Sequence, residues 1–233
     1  ILEILKEEPF FEIYLVVTGV CLLDIHGKDI NYIEQDGFHI NATIDMFNEN
    51  SADTGGEMVK SMSRVLFSVV DELEKAKPDI VLSGFDIGAN FAVTIAAAHM
   101  NIPVAHIQGG EVTGSIDESI RHAMSKFAHI HFPATDDARK RLIRLGENPD
   151  DIYVVGCPSI DALNLESLID ERILTELISE KEDISNFQVD IESNSQYQIG
   201  DIFYAEGNVK TKFSVQILQI HSKFNFKRAI CLE

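Results

Sequence analysis

Seventeen residues from His106 to His122, HIQGGEVTGSIDESIRH, hold two histidines, a paired glycine, three carboxylates and an arginine. Little in them suits a core. Glu111 follows Gly109 and Gly110 directly. Paired glycines free the backbone to form a nest of N–H groups for an anion, with the glutamate at its rim. The alternative is a plain glycine turn with a solvated acid. Asp117 and Glu118 open the next helical pattern, where the helix dipole favours negative charge in any case. A fourth carboxylate, Asp86, lies in SGFDIGAN between Gly84 and Gly88. It either faces a ligand that the glycines let approach or caps the helix that follows.

Carboxylates crowded at one place raise one another's pKa, so that one can serve as acid and another as base near neutral pH. Asp86, Glu111 and Asp117 form such a set if the fold brings them to one edge. The set would suit removal of a carbon-bound proton together with departure of a phosphate leaving group. His106, ending a strand-like run, is placed to contact a ligand. Arg121 stands one helical turn after Asp117, within reach of that carboxylate or of a phosphate. His129 and His131, two apart on a strand, would share a face. No third ligand has metal spacing, so ordinary hydrogen-bonded histidines are expected there. Neither a Ser-His-Asp arrangement, a P-loop nor a GxGxxG fingerprint is present.

The elements that must position these residues alternate. Strand-like runs are FEIYLVVTG from Phe11, DIVLSG from Asp79, PVAHI from Pro103, HIHFPA from His129 and IYVVG from Ile152. Between them come helical patterns. Met62, Val65, Leu66, Val69, Val70 and Leu73 recur at helical spacing. ANFAVTIAAAHM is small and apolar nearly all round, and IDESIRHAMSKFA and TDDARKRLIRLG follow, the last with a capping Thr or Asp and a closing Gly146. Such alternation predicts an α/β fold of right-handed βαβ units, with a parallel sheet and flanking helices. Ligands in such sheets bind beyond the carboxyl ends of the strands, where both the Asp86 loop and the 108–118 loop fall. After Asp161 the style changes to an acidic amphipathic stretch. NVKTKFSVQILQI reads as a further helix, and the final HSKFNFKRAICLE is basic and unassigned.

The totals exclude some partners. With 19 basic against 38 acidic residues the formal net charge is −19. Neither nucleic acid nor an anionic membrane is expected, since both need a positive footprint. A phosphate-bearing small molecule needs only a local pocket of N–H groups and one arginine. Cys21, Cys157 and Cys231 are far apart and odd in number, which fits a reduced, cytoplasmic setting. No apolar run approaches the roughly 18 residues of a membrane span. The opening ILEILKEEPFFE lacks a basic n-region and a cleavage site, and it reads as starting in mid-helix, so an earlier natural start is expected.

SGFDIGANFAVTIAAAHMNIPVAHIQGGEVTGSIDESIRHAMSKFAHIHFPAT, together with VVGCPSIDAL, YLVVTG and IEQDGFHI, resembles the hydrolysing UDP-N-acetylglucosamine 2-epimerases of sialic and legionaminic acid biosynthesis. The likeness covers about residues 1 to 163, and HIxGGExxGxIDxSIRHAxxK is a long and specific motif. It implies the N-terminal half of a two-domain, GT-B-like architecture. It also implies elimination of UDP across C1–C2 to a glycal, then hydration to free N-acetylmannosamine. A UDP-sugar substrate, no cofactor, no metal and a homo-oligomer are expected. On this resemblance Asp86, Glu111 and Asp117 are catalytic. Substrate binding falls to His106, Gln108, Gly109, Gly110, Glu118, Ser119, Arg121 and His122.

Some positions depart from the family pattern. Phe85 replaces the glycine before the family's aspartate, Gln108 stands where many relatives carry glutamate or histidine, and Cys21 where relatives often have histidine. The family's first strand, with its Gly-Thr-Arg segment, would precede Ile1. A second domain of ~100–150 residues would follow, a normal domain size. Only 199–218 resembles that domain, at its last loop and helix. The organisation expected is therefore a carboxylate-bearing domain over 1–160, a linker or remnant of the second domain over 161–198, and a C-terminal helix and tail over 199–233. The alternatives are a non-hydrolysing epimerase that returns the UDP-sugar, and an inactive fragment that only binds a sugar nucleotide or a partner subunit.

Overall fold

Strand and helix alternate along the chain because short apolar runs are separated by longer segments of helical pattern. In the computed structural model the described residues are 1–48, 54–84, 88–158 and 228–232. The chain divides into two compact units, Ile1–Cys157 with Lys212–Glu233, and Pro158–Thr211; of the second, Pro158 alone is described. The readings of 161–198 and of the helix at 208–220 lie outside the described residues.

The first unit carries α1 (Leu2–Glu7), β1 (Glu12–Thr18), α2 (Ile30–Gln35), β2 (Ile40–Ile44), α3 (Gly55–Ala76) and β3 (Ile80–Gly84). Then follow α4 (Gly88–His99), β4 (Val104–Ile107), α5 (Ile116–Phe127), β5 (Ile130–Phe132), α6 (Asp136–Arg144) and β6 (Arg228–Leu232). The six strands form one sheet in the order β2-β1-β6-β3-β4-β5, every neighbouring pair parallel.

The long helix shows how local rules build this. Thr54 caps α3, its hydroxyl accepting the Glu57 N–H at 3.2 Å, and Ser61, Val65, Val69, Leu73 and Ala76 form the buried stripe. Lys77 ends it in the left-handed region, its N–H bonding the Leu73 carbonyl, and Pro78 follows. Helix α4 is buried nearly all round, at Gly88, Ala89, Asn90, Ala92, Val93, Thr94, Ala96 and Ala97, because it packs against α3, α5 and the sheet. Small residues permit that close approach: a Cβ on Gly88 would sit 2.8 Å from Met62 Cγ.

Alternate residues of each strand serve opposite faces. Val16, Val81 and Val104 join Val65, Val69, Leu73, Ala92 and Val93 in one core. Leu15, Val17, Leu82, Ala105, Ile107, Ile130 and Phe132 form the other, with Leu5 of α1. Each fully buried Val, Leu, Ile or Phe side chain of these sets contributes about 1.5–3 kcal/mol.

Three readings of the sequence need amendment. IYVVG does not form a strand: Ile152 makes one isolated bridge to His131, with Tyr153 N–H on the His131 carbonyl and Val155 N–H on the Pro133 carbonyl. The next bond of a parallel ladder would run from the nitrogen of residue 133 to the Tyr153 carbonyl. Proline has no hydrogen to give. Second, Ile40–Ile44, absent from the strands read in the sequence, is one; Asn41, its second residue, accepts the Leu15 N–H on Oδ1 at 2.8 Å where the register shifts between Leu15 and Val16. Third, residues 228–232 of the unassigned tail form the strand that joins β1 to β3.

Candidate active site

Strand β4 and helix α5 present the motif-bearing segment. Ser83 and Gly84 of β3 lie opposite His106 and Ile107 of β4, so the two chains leave the sheet side by side at its carboxyl edge. After Gly84 the chain re-enters description at Gly88; Asp86 lies outside the described residues. His106 in turn pairs with His131 of β5. A row of buried polar side chains, Ser83, His106 and His131, therefore crosses three strands just below that edge.

The first half of the segment is anchored. His106 has no exposed surface, and its Nδ1 lies 3.0 Å from Ser125 Oγ on α5. Burial, with the nearby charges of His131, Arg121 and His122, pushes its pKa down to about 3. Its ring is thus sealed beneath the loop rather than open to a ligand. Gln108 takes up a left-handed backbone (φ 60°), strained for a non-glycine residue. Its N–H donates to the Phe132 carbonyl at 2.9 Å and its Nε2 to Cys157 Sγ at 3.0 Å.

Gly109 and Gly110 are both buried. A Cβ on Gly109 would stand 2.9 Å from His106 Nδ1 and 3.0 Å from Ser125 Oγ. On Gly110, at φ +82°, it would stand 2.4 Å from the Ala138 carbonyl oxygen of α6. Arg141 Nη1 donates to the Gly110 carbonyl at 3.2 Å. These glycines admit protein atoms into the space of their missing side chains. At both positions α5 or α6 occupies the space a side chain would take.

The second half is open. Val112 to Asp117 are exposed, as is Ser119, while Glu111, Glu118 and His122 are half-buried. Ser115 caps α5: its Oγ accepts the Asp117 N–H at 3.3 Å and donates to Asp117 Oδ2 at 3.0 Å. Glu118 Oε2 accepts two backbone N–H groups, from Gly114 at 2.9 Å and Thr113 at 3.0 Å. Those bonds, Gly114's first, hold its carboxyl below the usual carboxylate range. Glu118 thus closes the loop as an ion. Arg121, one turn on, is only 6% exposed, with its charge near His106.

The structure places His106 in β4, and Gln108, Gly109, Gly110, Glu111, Asp117, Glu118, Ser119, Arg121 and His122 on the loop after it and on α5. His129 precedes β5 and is exposed, its Nδ1 accepting the Val104 N–H at 3.3 Å. His131 is buried, its Nε2 3.3 Å from Glu147, which also pairs with Lys126 at 2.6 Å. Desolvation lowers the His131 pKa while Glu147 opposes it. Sequence reasoning missed Ser83, Thr94 and Ser125, small polar residues inside apolar runs. Ser83 Oγ lies 2.7 Å from Thr94 Oγ1, both buried, and also meets the Asn90 carbonyl at 3.3 Å. Among the described residues no cluster of three or more His, Cys, Asp or Glu could hold a metal, and no helix is long and apolar enough to cross a membrane.

A parallel sheet flanked by helices, with charged loops beyond its carboxyl edge, defines a Rossmann-like α/β protein of the GT-B-like kind. The chain belongs to the UDP-N-acetylglucosamine 2-epimerase family, whose model matches residues 3–191. It is 37% identical over 163 residues to UDP-N,N'-diacetylbacillosamine 2-epimerase (hydrolyzing) of Legionella pneumophila, covering 70% of this chain and 43% of that protein. It is also 37% identical over 169 residues to polysialic acid biosynthesis protein P7 of Escherichia coli, covering 72% of this chain and 42% of that one. A crystal structure of UDP-N-acetylglucosamine 2-epimerase superposes with a TM-score of 0.60 at 27% identity, over 70% of this chain and 43% of the other. The chain thus spans under half the length of these relatives.

Proposed function

We propose that this chain carries the proton-transfer wall of a hydrolysing epimerase. The enzyme would convert UDP-N-acetylglucosamine, or a close nucleoside-diphosphate amino sugar, to the 2-epimeric free sugar and UDP. The observation that carries the reading is the 106–122 segment: one loop and helix start at the carboxyl edge of the sheet, bearing Glu111, Asp117 and Glu118. Similarity to a relative whose name includes hydrolysis supports the same branch.

In the proposed reaction a carboxylate takes the proton from C2 while the C1–oxygen bond breaks. That bond's electron pair leaves on UDP, and a C1–C2 double bond remains. Water then adds, its hydroxyl to C1 and a proton to C2 from the opposite face, which releases N-acetylmannosamine when the substrate is UDP-N-acetylglucosamine. Asp86, Glu111 and Asp117 share the proton transfers. Gln108, Ser119, Arg121 and His122 bound the substrate, Arg121 by charge towards the diphosphate. Glu118 holds the loop and His106 supports it from below. The reading places the chain in the cytoplasm, as part of a self-associating enzyme whose other domain closes the cleft against water.

The test is NMR of the product formed from UDP-N-acetylglucosamine in deuterated water, with this chain and with the full-length gene product, each beside Asp117→Asn. Free N-acetylmannosamine carrying deuterium at C2, lost in the variant, supports the proposal. UDP-N-acetylmannosamine as product puts the protein in the non-hydrolysing branch. Full-length protein without turnover sinks the reading.

A further inference from the structure

Three buried polar groups meet where β4 hands over to its loop: the His106 ring, the Ser125 hydroxyl and the Arg121 carbonyl. Ser125 Oγ donates to the Arg121 carbonyl at 3.0 Å and lies 3.0 Å from His106 Nδ1. A serine hydroxyl has one hydrogen. With that hydrogen on the Arg121 carbonyl, Oγ can only accept from the ring, so Nδ1 carries the proton. The other nitrogen agrees: among the described residues His106 Nε2 is buried with no hydrogen-bond partner. A proton on Nε2 would therefore leave an N–H unpaired and set two lone pairs against each other at Nδ1.

We propose that His106 is a positioning residue, held by Ser125 as the neutral Nδ1–H tautomer, and that this clamp sets the loop carrying Gln108 and Glu111 against the helix carrying Asp117. The chain of contacts runs from the sheet to the carboxylates. His106 is the third residue of β4, and Ser125 is two turns along α5 from Asp117. Gly109 lies on the pair so closely that its hydrogen is the largest substituent the clamp accepts. Arg121, whose carbonyl ends the relay, is buried on the same helix. Among the described residues the charged and titratable groups acting on the ring are His131, Arg121 and His122; all three are basic, and none of them favours the imidazolium. The ring stays neutral at working pH and takes no part as acid or base. The clamp's part in catalysis rests on the function proposed above; its chemistry does not.

The experiment is imidazole-nitrogen NMR on the histidine-labelled chain, read between pH 8 and pH 5. We expect His106 with Nδ1 protonated and Nε2 bare throughout. A ring protonated at Nε2, or on both nitrogens at pH 5, overturns the proposal. His106→Asn and His106→Gln then separate the two ring positions, since an asparagine amide falls near Nδ1 and a glutamine amide near Nε2. His106→Asn is expected to keep the 108–118 amide resonances near their native shifts and to keep UDP-N-acetylglucosamine affinity within about threefold. His106→Gln is expected to move those resonances and to weaken binding about tenfold or more. The reverse order would mean that Nε2, not the clamp, is the working atom. Should the unmutated chain bind no UDP-sugar, the proposed function fails, while the tautomer and the amide shifts still judge the clamp.

Discussion

The two halves of the 106–122 segment are built to different ends. From His106 to Gly110 the chain is tied to three neighbours: α5 through Ser125, β5 through the Phe132 carbonyl, and α6 through Ala138 and Arg141. From Val112 to Ser119 it holds itself together by short-range bonds and stands mostly in solvent. Two glycines show the contrast. Gly110 and Gly114 both have positive φ, yet a side chain on Gly110 would strike a backbone carbonyl and one on Gly114 would meet nothing within 4 Å. The difference teaches that motif residues of one loop can be placed for unlike reasons. The first half fixes where the loop starts; the second leaves its polar groups open to solvent.

Substitutions can break or sharpen this contrast. The largest effect is expected from Gly110→Ala, which combines left-handed strain with a Cβ pressed on the Ala138 carbonyl. A loss of about 3–5 kcal/mol in urea unfolding is expected. A loss under about 1 kcal/mol would mean that the loop is not packed on α6.

Acid comes next. His106 is neutral in the folded chain with a pKa of about 3, against an ordinary 6.5 when unfolded. The unfolded chain therefore binds the extra proton. This contribution is full above pH 6.5 and is lost as pH falls from 6.5 towards 3, at about 1.4 kcal/mol per pH unit in the middle of that window. His106→Asn should flatten the acid limb of a stability–pH curve; an unchanged limb would mean that the ring is not sealed.

Gly114→Ala should cost only the backbone strain, about 1–2 kcal/mol, since its side chain enters open space. Ser119→Ala, on the exposed first turn of α5, should stay within about 0.5 kcal/mol of the native protein while lowering sugar-nucleotide affinity. A large stability loss at Ser119 would erase the distinction between the two halves.

Much of the fold could be read from the chain. Helices α3 to α6 and strands β1, β3, β4 and β5 announce themselves by period, caps and terminal glycines or prolines. Elements whose pairing is decided at long range could not be read. β6 is five residues in a basic tail, and its place between β1 and β3 depends on partners more than 140 residues earlier. IYVVG has the composition of a strand, but the ladder fails at a proline in its neighbour. Within the candidate site, residue types singled out one loop and could not foretell how each residue of it is packed. His106 looks like a ligand contact because it ends a strand, and only Ser125, nineteen residues on, shows that its ring faces inward. Gly109 and Gly110 read as a permissive turn, and how closely α5 and α6 pack on them shows only in the structure.

The central claim is that the outer half of this segment meets a sugar nucleotide. Its most direct test is titration of UDP-N-acetylglucosamine into the 15N-labelled chain, following backbone amides. We expect saturable shifts at Gln108, Glu111 to Ser119 and the ends of β1 and β3, all on one edge of the sheet. Shifts confined to the opposite edge, around Leu73, Lys77 and Ile102, or no shift in this segment at saturation, would contradict the account.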